Sequence, residues 1–291
     1  SMLDLFLAYS LMKALDGDTQ ILFVGDINQL PSVGPGQVLQ DLIASGQIPL
    51  VELTEVFRQA QTSSIVLSSH HINQGKYPKL EFVSNQPKSD CLMYAAQNSQ
   101  EGVEAILNLM SNLIPNLGFD PVQDVQILSP MTKTEVGTQY LNLVLQKLIN
   151  PPSHDKTEII LGEMRLRVGD RVIQKMNNYE QEVFNGDLGI LDKIDLNLQE
   201  FIINFNDKLV TYNYTDLDKI CQAFCITIHK SQGSEYPVVI LPIFMQHYPM
   251  LSRNLLYTGL TRAKQLAILV GQEKAISLAI KQVDNNQRYT L

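Results

Sequence analysis

The strongest constraint on the fold is an alternation of short apolar strands with amphipathic helices. Strand-like runs at 91–96 and 125–130 each precede a helical pattern, at 101–114 and at 135–149. This spacing is typical of a parallel sheet covered by helices, so the chain is expected to be an α/β protein. The alternation resumes after residue 220, with strands expected at 222–228, 237–243 and 266–270 and helices at 251–264 and 272–282.

One stretch interrupts this alternation. Pro151 and Pro152 end the helical pattern before it, because proline cannot continue a helix. Turn residues then separate five short alternating runs, at 164–168, 171–176, 188–194, 200–205 and 209–214. Short strands at this density predict a small antiparallel β-barrel, inserted into the α/β domain at 159–215.

The first part of the chain also carries secondary-structure signals. An apolar-periodic helix is expected at 3–15, and residues 21–24 form a continuous apolar run of the kind buried in parallel sheets. A further strand at 51–54 and a helix at 63–74 are predicted.

Composition excludes several classes of protein. Hydrophobic residues make up 45% and charged residues 18%, which is enough apolar material for an ordinary core. The sequence contains no run of 18 or more apolar residues, so no membrane-spanning helix is predicted. Three cysteines do not make a disulfide framework and suggest reduced thiols in a cytoplasmic protein. The net charge of −8 argues against non-specific coating of nucleic acid, although it permits a narrow basic track in a cleft.

The segment ILFVGDINQLPSVGPG (21–36) places polar residues after a predicted strand, where parallel-sheet proteins bind ligands. A glutamine such as Gln29 can contact a γ-phosphate and its attacking water. The alternative is a polar loop that satisfies its own backbone. Asp26 resembles a metal-holding aspartate, but the glycine before it and the absence of a following glutamate count against that role.

Two arginines have the chemistry of phosphate ligands. The planar guanidinium donates several hydrogen bonds and stays charged, which suits a γ-phosphate. Arg58 follows the strand expected at 51–54, where it could equally form a surface ion pair. Arg262 is predicted on the helix at 251–264, on the same face as Thr258 four residues earlier.

The segment ITIHKSQGSE (226–235) ends an apolar strand in a dense polar cluster. Thr227, His229 and Lys230 offer donors for nucleic-acid phosphates. Gly233 permits a tight turn, and Glu235 can accept a hydrogen bond from a ribose hydroxyl. The basic residues Arg165, Arg167, Arg171 and Lys175 are either a DNA track or a solvated face.

In this order, the segments resemble motifs III to VI of superfamily 1 helicases, and most closely the RecD-like branch that includes the exodeoxyribonuclease V alpha subunit. The resemblance covers nearly the whole chain. It rests on GDINQLPSVGPG, VFRQ, VGDRVIQKMNNYEQEVFNGDLG (168–189), HKSQGSE and LLYTGLTRAK.

The resemblance implies a domain organisation and a set of site residues. Residues 1–48 would be the end of a first RecA-like domain. Residues 49–158 and 216–291 would form a second RecA-like domain of the P-loop NTPase type, with an SH3-like β-barrel inserted at 159–215. The implied γ-phosphate contacts are Gln29, Arg58 and Arg262, the implied ATP-site lining is Asp26, Gly233 and Glu235, and the implied DNA contacts are Thr227, His229, Lys230 and Arg171.

The implied function is the C-terminal motor portion of an ATP-dependent helicase in DNA recombination and repair, which translocates 5′ to 3′ on single-stranded DNA and unwinds duplex. RecBC-like subunits or other repair proteins are possible partners. ATP and Mg²⁺ are the implied cofactors, with the Mg²⁺ ligands mostly outside this chain and no metal site within it.

One departure from the family pattern matters. The 291 residues contain no G-x-x-x-x-G-K-[ST] motif, and no Asp-Glu pair follows an apolar strand. We therefore expect the chain to start just past motif II of a longer protein and to be inactive as an ATPase alone. The alternative is a non-catalytic half-motor, a scaffold that binds single-stranded DNA or a partner protein.

Overall fold

The computed structural model describes residues 3–53, 62–161 and 164–282. The strands in these ranges are β1 Glu81–Phe82, β2 Cys91–Ala95, β3 Val125–Ser129, β4 Glu158–Leu161, β5 Met164–Arg167, β6 Arg171–Gln174, β7 Leu188–Asp195, β8 Glu200–Phe205, β9 Lys208–Asn213, β10 Ile220–Gln222, β11 Cys225–Thr227, β12 Tyr236–Ile243 and β13 Ala263–Gly271.

The helices in the described ranges are α1 Leu5–Ala14, α2 Val38–Ser45, α3 Ser64–Asn73, α4 Ser99–Asn108, α5 Ile114–Asn116, α6 Thr138–Ile149, α7 Arg253–Leu260 and α8 Glu273–Lys281, with a π-helical turn at Leu109–Leu113 and 3₁₀ helices at Tyr214–Lys219, Ile228–Ser231 and Met245–Met250. Helices α3, α7 and α8 cover one face of the larger sheet, and α4 and α6 cover the other. Within the described residues, no helix is both long and apolar enough to span a bilayer.

The larger sheet has six parallel strands in the order β1-β2-β13-β12-β3-β11. Alternate residues of a strand point to opposite faces, so the strands serve two apolar cores. Leu128 and Leu241 pack towards α3, α7 and α8, whereas Ile127 and Ile240 pack towards α4 and α6. Burial on both faces explains why the strands are continuously apolar. The predicted α/β class is confirmed.

The smaller sheet has five antiparallel strands in the order β10-β6-β7-β8-β9, beside a separate hairpin of β4 and β5. Its core contains Phe201 and Tyr212, whose rings stack with centroids 5.2 Å apart. The predicted antiparallel strands are therefore confirmed. Closure into a barrel and the predicted domain limits remain predictions.

The prediction of one strand over 222–228 is wrong. β10 ends at Gln222 and pairs with β6 of the small sheet, whereas β11 begins at Cys225 and pairs with β3 of the parallel sheet. The apolar run is continuous in sequence, but its two halves hydrogen-bond to different sheets.

Two strands predicted near the N-terminus are absent. Residues 21–24 and 51–53 belong to no strand, and Leu22 and Val24 are 87% and 86% exposed. A strand needs a neighbour for its backbone groups, and none lies beside these residues in the described ranges. The prediction of strands at these two places is therefore wrong for the described residues.

Candidate nucleotide and nucleic-acid site

Asp26 organises the loop that carries Gln29. Its carboxylate accepts hydrogen bonds from the backbone N–H of Asn28 at 2.9 Å and from Gln29 Nε2 at 3.3 Å. Tyr257 Oη, on α7, donates to the same carboxylate at 2.8 Å. Asp26 thus joins the loop to a helix more than 200 residues away in the sequence.

Three further side chains fix the backbone of this loop. Thr258 Oγ1 accepts from the N–H of Leu30 at 2.8 Å, and Gln232 Nε2 donates to the carbonyl of Leu30 at 2.7 Å. Asn254 Nδ2 donates to the carbonyl of Gln29 at 3.2 Å. Two of the segments singled out from the sequence, 226–235 and 255–264, therefore meet the Asp26–Gln29 loop directly.

Arg262 does not lie on the helix as predicted. α7 ends at Leu260, and Arg262 occupies the turn that leads into β13. Its side chain is 6% exposed. Nε donates to the carbonyl of Thr258 at 3.2 Å, and Nη1 donates to the carbonyl of Ser234 at 3.1 Å. The guanidinium therefore ties the end of α7 to the segment before β12.

The Tyr257 hydroxyl remains a proton donor at any ordinary pH. Burial and the neighbouring Asp26 carboxylate raise the pKa of Tyr257 to about 12, because both disfavour a phenolate. The hydrogen bond to Asp26 is therefore present throughout the range in which a nucleic-acid enzyme works.

The crossing segment, residues 228–235, runs from the carboxyl end of β11 to the amino end of β12. Thr227 lies at the carboxyl end of β11, where its Oγ1 accepts from the N–H of Lys230 at 3.3 Å. Arg262 lies before the amino end of β13, and its carbonyl accepts from the N–H of Tyr236 at 2.8 Å. Because the strands are parallel, Thr227 and Arg262 lie at opposite ends of the strands.

A cleft of about 440 Å³ opens along this crossing segment. Residues 229–234 form one wall, residues 32–34 of the N-terminal segment a second, and residues 185–187 of the small sheet a third. Lys230 is exposed in this cleft, His229 is half-buried, and Gly233 takes a left-handed turn with φ of +83°. Three predicted site residues, His229, Lys230 and Gly233, therefore share one cleft.

Glu235 lies apart from this cleft lining. Its carboxylate pairs with Lys264 Nζ at 3.1 Å, and both side chains are more than half exposed. Arg58 lies outside the described residues. Among the described residues, no three His, Cys, Asp or Glu side chains come together as a metal-binding cluster.

The assignment of Arg171 to a DNA track needs correction. Arg171 is 7% exposed, and its Nη1 donates to the carbonyls of Val122 at 2.5 Å and Val125 at 2.9 Å. Burial lowers the pKa of this guanidinium. Arg167 is also buried and pairs with Glu158, whereas Arg165 and Lys175 are exposed. Arg171 therefore joins the small sheet to β3 and is not available to DNA.

Sequence reasoning did not single out two aromatic residues beside the cleft. Tyr179 and Phe184 are 75% and 44% exposed, and their rings meet edge to face with centroids 6.0 Å apart. A β-bridge between Asn178 and Val183 holds them together, directly before the 185–187 wall. The sequence feature that could have indicated them is the presence of two aromatic residues in the turn-rich stretch NNYEQEVFNGD (177–187).

Three protein families match successive parts of the chain. Residues 1–90 match an AAA domain, residues 141–205 the SH3 domain of ATP-dependent RecD-like DNA helicases, and residues 222–270 the C-terminal domain of UvrD-like helicases. The order agrees with the order of the motifs.

Characterised relatives match over almost the whole chain. The ATP-dependent RecD2 DNA helicase of Deinococcus radiodurans is 32% identical over 96% of this chain and 36% of its own length. The RecBCD enzyme subunit RecD of Haemophilus influenzae is 25% identical over 99% of this chain and 52% of its own length. The chain thus spans about a third to a half of the length of these relatives.

Among solved structures, the Pif1 helicase of Candida albicans is similar at a TM-score of 0.49 and 16% identity, over 88% of this chain and 64% of that protein. The family assignment rests on the sequence matches, which combine the SH3 domain characteristic of RecD-like helicases with a UvrD-like C-terminal domain. The chain belongs to the RecD-like helicases.

Proposed function

We propose that this chain is the C-terminal motor portion of an ATP-driven DNA helicase that moves 5′ to 3′ along single-stranded DNA and unwinds duplex during recombination and repair. The observation that carries the proposal is the crossing segment 228–235. It lines the cleft through His229 and Lys230, and it contacts the Gln29 loop through Gln232 and Arg262 through Ser234. One short segment therefore links a candidate DNA cleft to two candidate phosphate ligands.

The nucleotide would bind where the Asp26–Gln29 loop meets α7 and the Arg262 turn. The donors present there, an amide and a guanidinium, have the chemistry that a phosphate needs. Gln29 and Arg262, with Arg58, would contact the γ-phosphate, and Glu235 would lie along the nucleotide. Gly233, expected from the sequence at the nucleotide, instead lines the cleft beside Lys230. When bound, ATP supplies a phosphoryl group whose transfer to water drives the motor, and Mg²⁺ would be held mostly by residues outside this chain.

Asp26 fits an organising role better than a metal-binding role. Its carboxylate already accepts from Tyr257, from Gln29 and from the backbone of Asn28. These bonds hold Gln29 at a defined position. Phosphoryl transfer depends on such positioning and on charge more than on proton abstraction.

The DNA strand would occupy the cleft between the crossing segment and the small sheet. Thr227, His229 and Lys230 would contact phosphates, and the exposed rings of Tyr179 and Phe184 offer faces on which a base can stack. RecBC-like subunits or other repair proteins are further proposed partners.

The first experiment is single-stranded-DNA-stimulated ATP hydrolysis by the natural gene product, measured beside this 291-residue chain. We expect turnover in the natural protein and none in the chain. Turnover by the chain alone would contradict the assignment of missing phosphate-binding parts. No turnover in either, with DNA binding retained, would favour a non-catalytic scaffold, the alternative suggested by the inward-bonded guanidinium of Arg262.

The DNA cleft can be tested independently of hydrolysis. Removing one phosphate contact with Lys230→Ala should weaken binding of an oligothymidine several-fold and reduce the slope of log affinity against log salt by about 1. Lys264→Ala is the matched control, because Lys264 pairs with Glu235 away from the cleft lining. Fluorescence anisotropy at several salt concentrations measures both. Equal effects of the two variants would remove Lys230 from the interface.

A further inference from the structure

Thr258 makes contacts in two directions from a fully buried position. Its hydroxyl oxygen accepts from the N–H of Leu30 at 2.8 Å, next to Gln29. Its carbonyl accepts from Arg262 Nε at 3.2 Å. One residue therefore connects the loop that carries the candidate glutamine to the candidate arginine.

Tyr257 adds a second connection from the neighbouring position on α7. Its hydroxyl donates to Asp26 Oδ2 at 2.8 Å, and the same oxygen accepts from Gln29 Nε2 at 3.3 Å. The position of the Gln29 amide thus depends on a carboxylate that Tyr257 holds.

We propose that Tyr257 and Thr258 form a latch that sets Gln29 relative to Arg262, and that both are positioning residues for ATP hydrolysis. This inference rests on the proposed function. Two groups that converge on one phosphoryl group must be placed accurately, since a displacement of about 1 Å can lower turnover by about 100-fold. The latch is the direct covalent and hydrogen-bonded connection between the two groups.

The latch is separable from the packing of α7. Leu255, Leu256 and Leu260 anchor this helix in the apolar core and contribute nothing to the latch hydrogen bonds. Tyr257→Phe removes one hydroxyl and keeps the ring. Thr258→Val removes the hydroxyl and keeps the branched shape, whereas Thr258→Ser keeps the hydroxyl. These variants alter the latch while leaving the leucine face intact.

Hydrogen exchange on the 291-residue chain tests whether the latch holds the loop. Thr258→Val should speed exchange of the Leu30 amide by about tenfold, the effect of one lost buried hydrogen bond on local opening. Thr258→Ser should exchange close to the wild-type rate. Unchanged protection in Thr258→Val would overturn the latch, whatever the enzyme does.

Turnover by the natural protein tests the catalytic consequence. We expect Tyr257→Phe and Thr258→Val each to lower kcat by about tenfold with KM for ATP changed less than about threefold, because positioning and not ground-state binding is lost. Thr258→Ser should recover most of kcat. In a Gln29→Ala background, Tyr257→Phe should have little further effect, since it acts through Gln29.

The outcomes distinguish the inference from the function on which it rests. Wild-type kcat in Tyr257→Phe and Thr258→Val would overturn the positioning role while leaving the helicase proposal intact. Additive losses in the Gln29→Ala background would likewise overturn it. Absence of turnover in the wild-type natural protein would instead reject the proposed function, and with it any catalytic role for the latch.

Discussion

The apolar run 21–24 and the strand β12 are both rich in apolar residues, but they differ in burial and in backbone pairing. Seven of the eight residues of β12 are buried, and its backbone pairs with β3 on one side and β13 on the other. In the N-terminal run, Leu22 and Val24 are almost fully exposed. An apolar sequence thus becomes a buried strand only where neighbours complete its hydrogen bonds and cover its faces.

The two regions are also held in different ways. β12 is fixed by backbone pairing and by apolar contacts on both faces. The Asp26–Leu30 loop is held against the parallel-sheet domain by side chains of Gln232, Asn254, Tyr257 and Thr258. Hydrogen bonds of this kind contribute about 1 kcal/mol each, so the loop contact is weaker than the sheet and easier to rearrange.

The comparison predicts its largest difference for leucine truncation. Leu241→Ala removes a fully buried side chain of β12 and should lower the free energy of unfolding by about 2–5 kcal/mol. Leu22→Ala should change it by less than about 0.5 kcal/mol, because its side chain already faces solvent. Urea unfolding of the 291-residue chain measures both. A cost for Leu22→Ala near that of Leu241→Ala would mean that the N-terminal run is covered in solution.

Arg171 tests how firmly the small sheet is joined to the parallel sheet. Arg171→Met should lower the free energy of unfolding by about 2–4 kcal/mol, because one buried and one partly buried carbonyl lose a charged donor. Arg165→Met, at an exposed position, should change it by less than about 0.5 kcal/mol. Denaturant melts followed by circular dichroism give the two values. A stable Arg171→Met protein with weakened DNA binding would restore the DNA role that its burial argues against.

The buried imidazole of His247 should make the free energy of unfolding depend on pH. Burial lowers the pKa of His247 to about 4, from an ordinary value near 6.5, because the interior disfavours the imidazolium. Below pH 6.5 the unfolded chain binds a proton that the folded chain excludes. Stability from this group is therefore complete above pH 6.5 and is lost as pH falls through 4, by about 3 kcal/mol in all.

A matched pair of variants isolates this effect. His247→Gln should flatten the pH dependence of the unfolding free energy between pH 7 and 4, and its amide oxygen can still accept from the N–H of Phe244. His154→Gln, at an exposed position, should leave the wild-type profile unchanged. Identical profiles for wild type and His247→Gln would show that the imidazole is not excluded from protonation in the fold.

The strands and helices of the parallel-sheet region could largely be predicted from the sequence. β2, β3, β12 and β13 follow from continuous apolar runs, and α3, α4, α6 and α8 from helical periodicity. The failures have one physical cause, which is that an apolar pattern reports a capacity for burial but not which neighbours will cover it. It could not show that the run 222–228 is shared between two sheets, or that 21–24 lacks a strand partner.

The candidate site was predictable in composition more than in geometry. The ordered motifs identified Gln29, Lys230 and Arg262 as residues of interest. They could not show that the Arg262 side chain bonds inwards to carbonyls, or that Arg171 is buried against β3. Whether a basic side chain faces solvent or a carbonyl depends on tertiary contacts, which residue type does not encode.

The junction between the two sheets has a mechanical consequence. Only Ala223 and Phe224 separate β10 from β11, and Gln126 Nε2 donates to the carbonyls of both. Asn142 clamps the next residue, Cys225, through its N–H and its carbonyl. The backbone of residues 223–225 therefore has little freedom to change its conformation. We therefore expect a displacement of the small sheet to move Thr227 and the cleft with it, because no flexible linker separates the two sheets.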